Sequence, residues 1–520
     1  MNKNDLISKL RPGLAFIGTF AAVALLHYPM LRLPYFWDEA GYYIPAALDF
    51  FRHGLLIPQS TLSTGHTPLL SISLALAWHL LGYAPLITRL TMVLFATGTL
   101  AALYLLGHTL AERETAIWAC ALLALSALFF AQSTLAFLDL PAALTTTIAV
   151  WALLKRRMAW FALVASLSVL TKETAIVLVP VAIVYFWRFR KDPRKSDWMW
   201  LAAPVVVLGI WSIYYHHATG YWTGGAKYLQ YNLYSTLKPG RIGASLVRRL
   251  YQVFTAGFNW ILVGAALLGY RKRKAAAESG AGGNTEKTVE TSASIRKEFF
   301  FITFGLAAVY IAMLSVVGGA VLARYLLPMF PCFYLALVLL VEALPRPFMR
   351  VAFVIVGVAF IASWFINPSY PFAYENNLSY ADFVRLHQQA SEWLSAQPGD
   401  PRVLTAWPAT DELSRPELGY VKKPLRVVGV PNFDPPIFRD VPASSFDLVY
   451  LYSRKWDPPD NWLRRVPFLA HAGNYTPPIR PAFLALRYGL HQVAVFRRRG
   501  QWVRIYAKNQ DAPQSSSTNF

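Results

Sequence analysis

Residues 13–43 read GLAFIGTFAAVALLHYPMLRLPYFWDEAGYY, and their order decides the fold. Gly13 to Met30 is an apolar run of the length that crosses a bilayer core. Lys3, Lys9 and Arg11 precede it, and basic residues ahead of a first span hold that end in the cytoplasm. Asp38 and Glu39 therefore emerge on the opposite, outer face. Charge at a membrane boundary marks a functional site by default. Ala22-Val23-Ala24 has the small-residue character of a signal-peptide cleavage site, but the apolar run continues through it to Met30, so a retained span is expected.

Working outward, the whole chain carries the same signal. Of its 520 residues 55% are hydrophobic and 15% charged, with mean hydropathy +0.36. A soluble chain would carry about 25% charged residues. About eleven spans are expected, near 13–30, 85–107, 116–132, 140–154, 159–171, 174–187, 198–215, 251–270, 299–317, 324–343 and 349–366. The loops that this count places inside carry Arg113, Lys155 to Arg157, Arg188 to Lys195, Arg271 to Lys274, Arg346 and Arg350. That bias accounts for much of the net charge of +21, so nucleic acid is not an expected partner. The odd span count sends the C-terminal part outside. Cys120 and Cys332 lie in or beside apolar spans, as small packing residues rather than a disulfide framework.

The fold class expected is a polytopic α-helical membrane protein with a C-terminal extracytoplasmic α/β domain. Residues 1–366 form the membrane domain and 367–520 the outer domain. A long first outer loop, 31–84, holds two interfacial helices near 40–53 and 67–81. A second outer loop, 216–250, is rich in Tyr and Gly. The polar run 271–298 has too little apolar surface to fold and is read as a disordered cytoplasmic loop. After residue 367 short alternating runs read as strands: RVLTAW, LRVVGV, FDLVYLY, QVAVFRR and WVRIYAK, with a helix near 379–396.

The ionisable residues that interrupt the apolar pattern fall on one face. They are Asp38 and Glu39; His66 in GHTPLL; Asp139 in AFLDLPAAL; Lys172 and Glu173 in VLTKETA; and Arg324 with Tyr325 in GGAVLARYLLPMFP. Each has a plainer reading. Asp38 and Asp139 suit helix starts. Lys172 and Glu173 suit a local ion pair at a turn. Arg324 suits snorkelling to the interface. His66 suits a structural loop residue, and His216-His217 the end of a span. The shared sidedness is the argument for one outward-facing cavity.

Such a set suits a lipid-linked donor, a glycosyl group on a polyprenyl phosphate entering from the outer leaflet. Cations aimed at the leaving phosphate stabilise the transition state, and Arg324 and Lys172 are the candidates. A carboxylate within reach of the acceptor hydroxyl takes its proton, and Asp38 is the choice. Attack from the far side of the sugar inverts the anomeric centre.

FWDEAGYY resembles the Asp-Glu motif of the GT-C glycosyltransferases, in the protein O-mannosyltransferase and aminoarabinose transferase group. GHTPLL is similar to their His-x-Pro-Leu segment, FLDLPAALTTTIAVWALL to their Asp-x-Pro span start, VLTKETAIVLVP to their Thr-Lys element, and ARYLLPMFPCFYLAL to their Arg-Tyr-x-x-Pro element. The motifs run in order over about 35–345. The resemblance implies Asp38 as the catalytic acidic residue, with Glu39 beside it and Asp139 as a second acid facing the same cavity. It implies Arg324, with Tyr325, Lys172 and His66, around the donor. Tyr221, Trp222, Lys227 and Tyr228 would lie over donor or acceptor. Some relatives hold a divalent metal; Glu39, His66 and His216 or His217 are the available ligands here and form no evident set. The partners implied are the polyprenyl-phosphate sugar and membrane lipids, with a lipid, glycan or protein as acceptor, at the inner membrane. A membrane transporter of a polar or lipid-linked substrate is the alternative; repeated halves and midplane sites would mark it. A non-catalytic scaffold would leave the outer acids without a role.

Overall fold

The computed structural model describes residues 3–190, 194–278, 287–458, 466 and 479–508. The chain divides into two compact units. One comprises residues 1–32, 45–366 and 375–378; the other comprises 33–44, 367–374 and 379–520.

The first unit is helical. Among the described residues six helices are long and apolar enough to cross a membrane: Pro85–Leu110, Lys195–Thr219, Pro239–Ala276, Ser294–Val316, Ala323–Val341 and Arg346–Ser363. Shorter apolar helices cover Pro12–Leu26, Leu69–Leu81, Asp139–Leu154 and Met158–Thr171. Two further expected spans are built in pieces. Arg113–Leu125 is followed by Ala127–Gln132, and a 3-10 turn, Glu173–Val177, leads into Leu178–Phe189. Large apolar side chains such as Leu25, Leu80, Trp187, Ile210 and Val358 stay exposed on this unit. Apolar surface left uncovered in this way is what lipid contacts, and the chain is a multi-pass membrane protein.

Two expectations change. The span placed at 251–270 begins later, at Asn259. Ahead of it an amphipathic helix, Pro239–Phe254, ends in a turn where Gly257 takes a left-handed φ of 62°. Only Gly, with no Cβ, adopts that conformation without strain. The run 271–298, expected to be disordered, is helical over Arg271–Glu278 and again from Lys287, because each end continues an apolar helix that propagates into it. Residues 279–286 lie outside the described set.

The second unit carries a five-stranded mixed sheet in the order β2-β1-β3-β5-β4, with β1 Val403–Ala406, β2 Val427–Val430, β3 Leu448–Tyr452, β4 Leu490–Arg498 and β5 Gln501–Lys508. β1 runs parallel to both β2 and β3, and β3 pairs antiparallel with β5. β4 and β5 form a hairpin whose two-residue turn, Arg499-Gly500, has positive φ at both positions, matching the strand twist. β1 and β3 are buried on both faces, as central strands under helices must be. Leu404, Ala406, Val449, Leu451, Phe438, Phe446 and Leu484 form the core, and the expected helix runs over Ser379–Ser395.

Candidate active site

In the first unit, ends of separate elements bring charge together out of solvent. Asp139 opens the helix Asp139–Leu154, and Lys172 follows the last turn of Met158–Thr171. Arg324 lies in the 3-10 turn Ala323–Met329. Lys172 Nζ donates to Asp139 Oδ1 at 2.5 Å. Arg324 Nε lies 3.6 Å from Asp139 Oδ2 and 3.3 Å from Glu375 Oε1. These side chains are 6%, 3%, 1% and 5% exposed for Lys172, Asp139, Arg324 and Glu375. Charges this buried survive only when paired. Gln132 Nε2 donates to the Glu375 carbonyl at 3.1 Å and fixes that segment.

Tyr325 is the hub of the cations. Lys172 Nζ lies 4.2 Å from its ring centroid, Arg324 Cζ 5.4 Å and Arg249 Cζ 5.7 Å. The negative face of a tyrosine ring attracts such groups. Arg324 also lies over Phe137, at 3.8 Å. Arg249 was not among the residues expected here. It sits fully buried on the amphipathic helix Pro239–Phe254 and donates Nη1 to the Leu322 carbonyl and to Gln252 Oε1. Its Nε and Nη2 have no hydrogen-bond partner among the described residues. Lys172, Arg249 and Arg324 thus share one buried cluster with Asp139 and Glu375.

One plain reading of the sequence holds and one fails. Asp139 does open its helix, and its carboxylate is also committed to Lys172 and Arg324. Lys172 pairs with Asp139 and not with Glu173. Glu173 turns instead to His66, whose Nδ1 lies 3.0 Å from Glu173 Oε2. Gly65, with φ of 73°, lets the chain pass against the second loop: a Cβ there would lie 2.1 Å from the Gly224 nitrogen. That close approach sets His66 beside Tyr228, ring centroids 6.0 Å apart. Tyr221 is exposed, and Lys227 lines an open cavity of about 540 Å³ with Ala226, Gln230, Tyr231 and Ser235. Neither bonds to the charged cluster among the described residues.

Asp38 and Glu39 belong to the second unit. Asp38 is half-buried at the head of a π-helical turn, Glu39–Tyr43, and makes no side-chain cap bond to it. Glu39 is fully buried and its Oε2 accepts the Phe36 N–H at 2.8 Å, closing the turn.

The metal ligands that the sequence offered do not gather. His66 is taken by Glu173, Glu39 by Phe36, and His216 stacks on Trp222 at 4.2 Å. Among the described residues no three His, Cys, Asp or Glu side chains could hold a metal ion.

No protein-family model matches the chain, and no curated protein matches it in sequence. Solved structures do resemble it. ArnT from Cupriavidus metallidurans bound to undecaprenyl phosphate overlays with a TM-score of 0.55 at 14% identity, covering 95% of this chain and 98% of that one. The apo state of that protein overlays at 0.51 and 13% identity, with the same coverage. The chain has the GT-C glycosyltransferase fold, as its motifs implied.

Proposed function

Starting from the GT-C fold, we propose that this chain is a membrane glycosyltransferase that takes its sugar from a polyprenyl-phosphate donor. The observation that carries the reading is the buried cluster of Lys172, Arg249 and Arg324 gathered around the Tyr325 ring. A glycosyl phosphodiester brings one negative charge, and its leaving phosphate gains another as the bond breaks. Buried cations fixed in advance stabilise that developing charge. A guanidinium can hold two phosphate oxygens at once. The undecaprenyl phosphate bound to ArnT supports the same class of lipid here.

In the reaction proposed, an acceptor oxygen attacks the anomeric carbon while the bond to the phosphate oxygen breaks. The electron pair departs with the polyprenyl phosphate, and the acceptor proton passes to Asp38. One displacement inverts the anomeric centre. Asp139 serves as the shared counter-ion of Lys172 and Arg324 rather than as a second acid, because both its oxygens are engaged. Loop charges support a cytoplasmic N-terminus, an extracytoplasmic C-terminal part and an inner-membrane location. Lys172 and Arg324 stand at element ends, which supports an enzyme over a transporter, whose sites lie at mid-helix breaks.

The test is a screen of purified protein against several polyprenyl-phosphate sugars, reading release of the polyprenyl phosphate. One donor should be consumed by the wild type and spared by Arg324→Ala. Failure to consume or bind any of them contradicts the reading.

A further inference from the structure

Three irregularities converge on the backbone around Asp38, all within the second unit. Trp37 adopts a left-handed φ of 48°, a conformation that costs a bulky residue about 1–3 kcal/mol. The next residues, Glu39–Tyr43, form a π-helical turn, a rare element that clusters at functional sites. Gly41 admits the Trp407 indole so closely that a Cβ would lie 2.2 Å from its Nε1. Together they bring aromatic rings to the turn that carries Asp38. Trp37 precedes Asp38, and Tyr42 lies one turn beyond it on the same side of the π-turn. Trp407 touches both, with ring centroids 5.7 Å from Trp37 and 5.0 Å from Tyr42. Phe383 and Tyr452 back Trp37, and Arg454 covers it at 5.9 Å.

These rings are not a sealed core. Trp37, Asp38, Tyr42 and Trp407 are all half-buried. Neither indole N–H has a hydrogen-bond partner among the described residues, although buried Trp usually finds one. Flat apolar faces, unused N–H donors and a carboxylate at the edge are the complement of a sugar ring. The C–H faces of a sugar lie on aromatic rings, and its hydroxyls point outward to donors and acceptors. A phosphate or a lipid tail would have no use for Asp38. We propose that Trp37, Tyr42 and Trp407 form the acceptor subsite and that the acceptor is a neutral glycan, one hydroxyl of which is presented to Asp38. The proposal rests on the reading of Asp38 as the base.

The experiment uses the full chain in detergent and short neutral mannan, arabinan, glucan and galactan oligosaccharides as probes, with no donor present. Binding is read by saturation-transfer NMR and titration. At least one glycan should bind saturably. Trp407→Ala should weaken it about tenfold or more, and Trp407→Phe and Tyr42→Phe, which keep a ring face, should weaken it less. Should Trp407→Ala melt early, Tyr42→Ala decides in its place. Arg324→Lys should bind the glycan as the wild type does. No binding by any probe, or wild-type binding by the Ala variants, overturns the proposal. Polyprenyl phosphate is titrated separately: its binding with no glycan binding defeats the acceptor proposal alone, and its absence defeats the donor reading.

Discussion

Asp139 can be a helix cap or an acid by its spacing alone, but its surroundings make it a counter-ion. Its two oxygens face Lys172 and Arg324, and all three side chains are almost wholly buried. Asp139→Asn keeps the shape and removes the charge that offsets two cations. Breaking a buried pair costs about 3–5 kcal/mol. The variant should melt well below the wild type in detergent; equal melting would return Asp139 to the role of a free acid. Asp38→Asn should do the opposite. The amide keeps the size of this half-buried side chain, so the variant should still fold, and turnover should fall about 10²–10⁴-fold, the usual loss of a general base. Wild-type turnover would remove Asp38 from the reaction. Asp139, Lys172, Arg324 and Tyr325 were legible because each interrupts an apolar run. Arg249 was not, because it lies among Arg241, Arg248 and a Tyr- and Gly-rich approach, where one more cation draws no notice. Glu375 likewise sits in an ordinary polar stretch.

The elements were easier to read than their partners. The long apolar helices and all five strands follow from hydropathy and alternation, which are local properties. The helix Pro239–Phe254 escaped because its apolar residues occupy one stripe and never form a continuous run. The 3-10 turns at 173–177 and 323–329 escaped because apolar composition does not distinguish them from α-helix. In the sheet unit, one ion pair ties the entrance of β1 to the entrance of β3. Arg402 donates to both Asp447 oxygens, at 2.9 and 3.1 Å, and holds that carboxyl at about 2, below its usual 3.8. A depressed carboxyl means that the folded state binds fewer protons than the unfolded one. Its stabilisation is therefore complete above the usual value and lost as pH falls to about 2. Asp447→Asn should lower the melting midpoint of the sheet unit at neutral pH, with the gap closing across that acid window. A gap that persists at pH 2 would assign the effect to packing.

At the scale of the molecule, composition changes near residue 367, yet the two units exchange short segments, 33–44 and 375–378, across that boundary. Such exchange leaves no trace in sequence, since 33–44 is as apolar and aromatic as a span. Loop charges predict where the chain ends. An alkaline phosphatase fusion at the C-terminus should be active, and a cytoplasmic readout would overturn the odd span count together with the one-face argument. The central claim is that Lys172, Arg249 and Arg324 hold the donor's phosphate. It is tested most directly by titrating purified protein with a polyprenyl phosphate and comparing the wild type with Arg249→Ala and Arg324→Lys. Arg249→Ala leaves Asp139 and its ion pairs in place, and Arg324→Lys keeps the charge but loses the two-pronged hold. Each should weaken binding by about tenfold or more, about 1.4 kcal/mol, in protein whose folding is checked by gel filtration in detergent. Wild-type affinity in both variants would contradict the account.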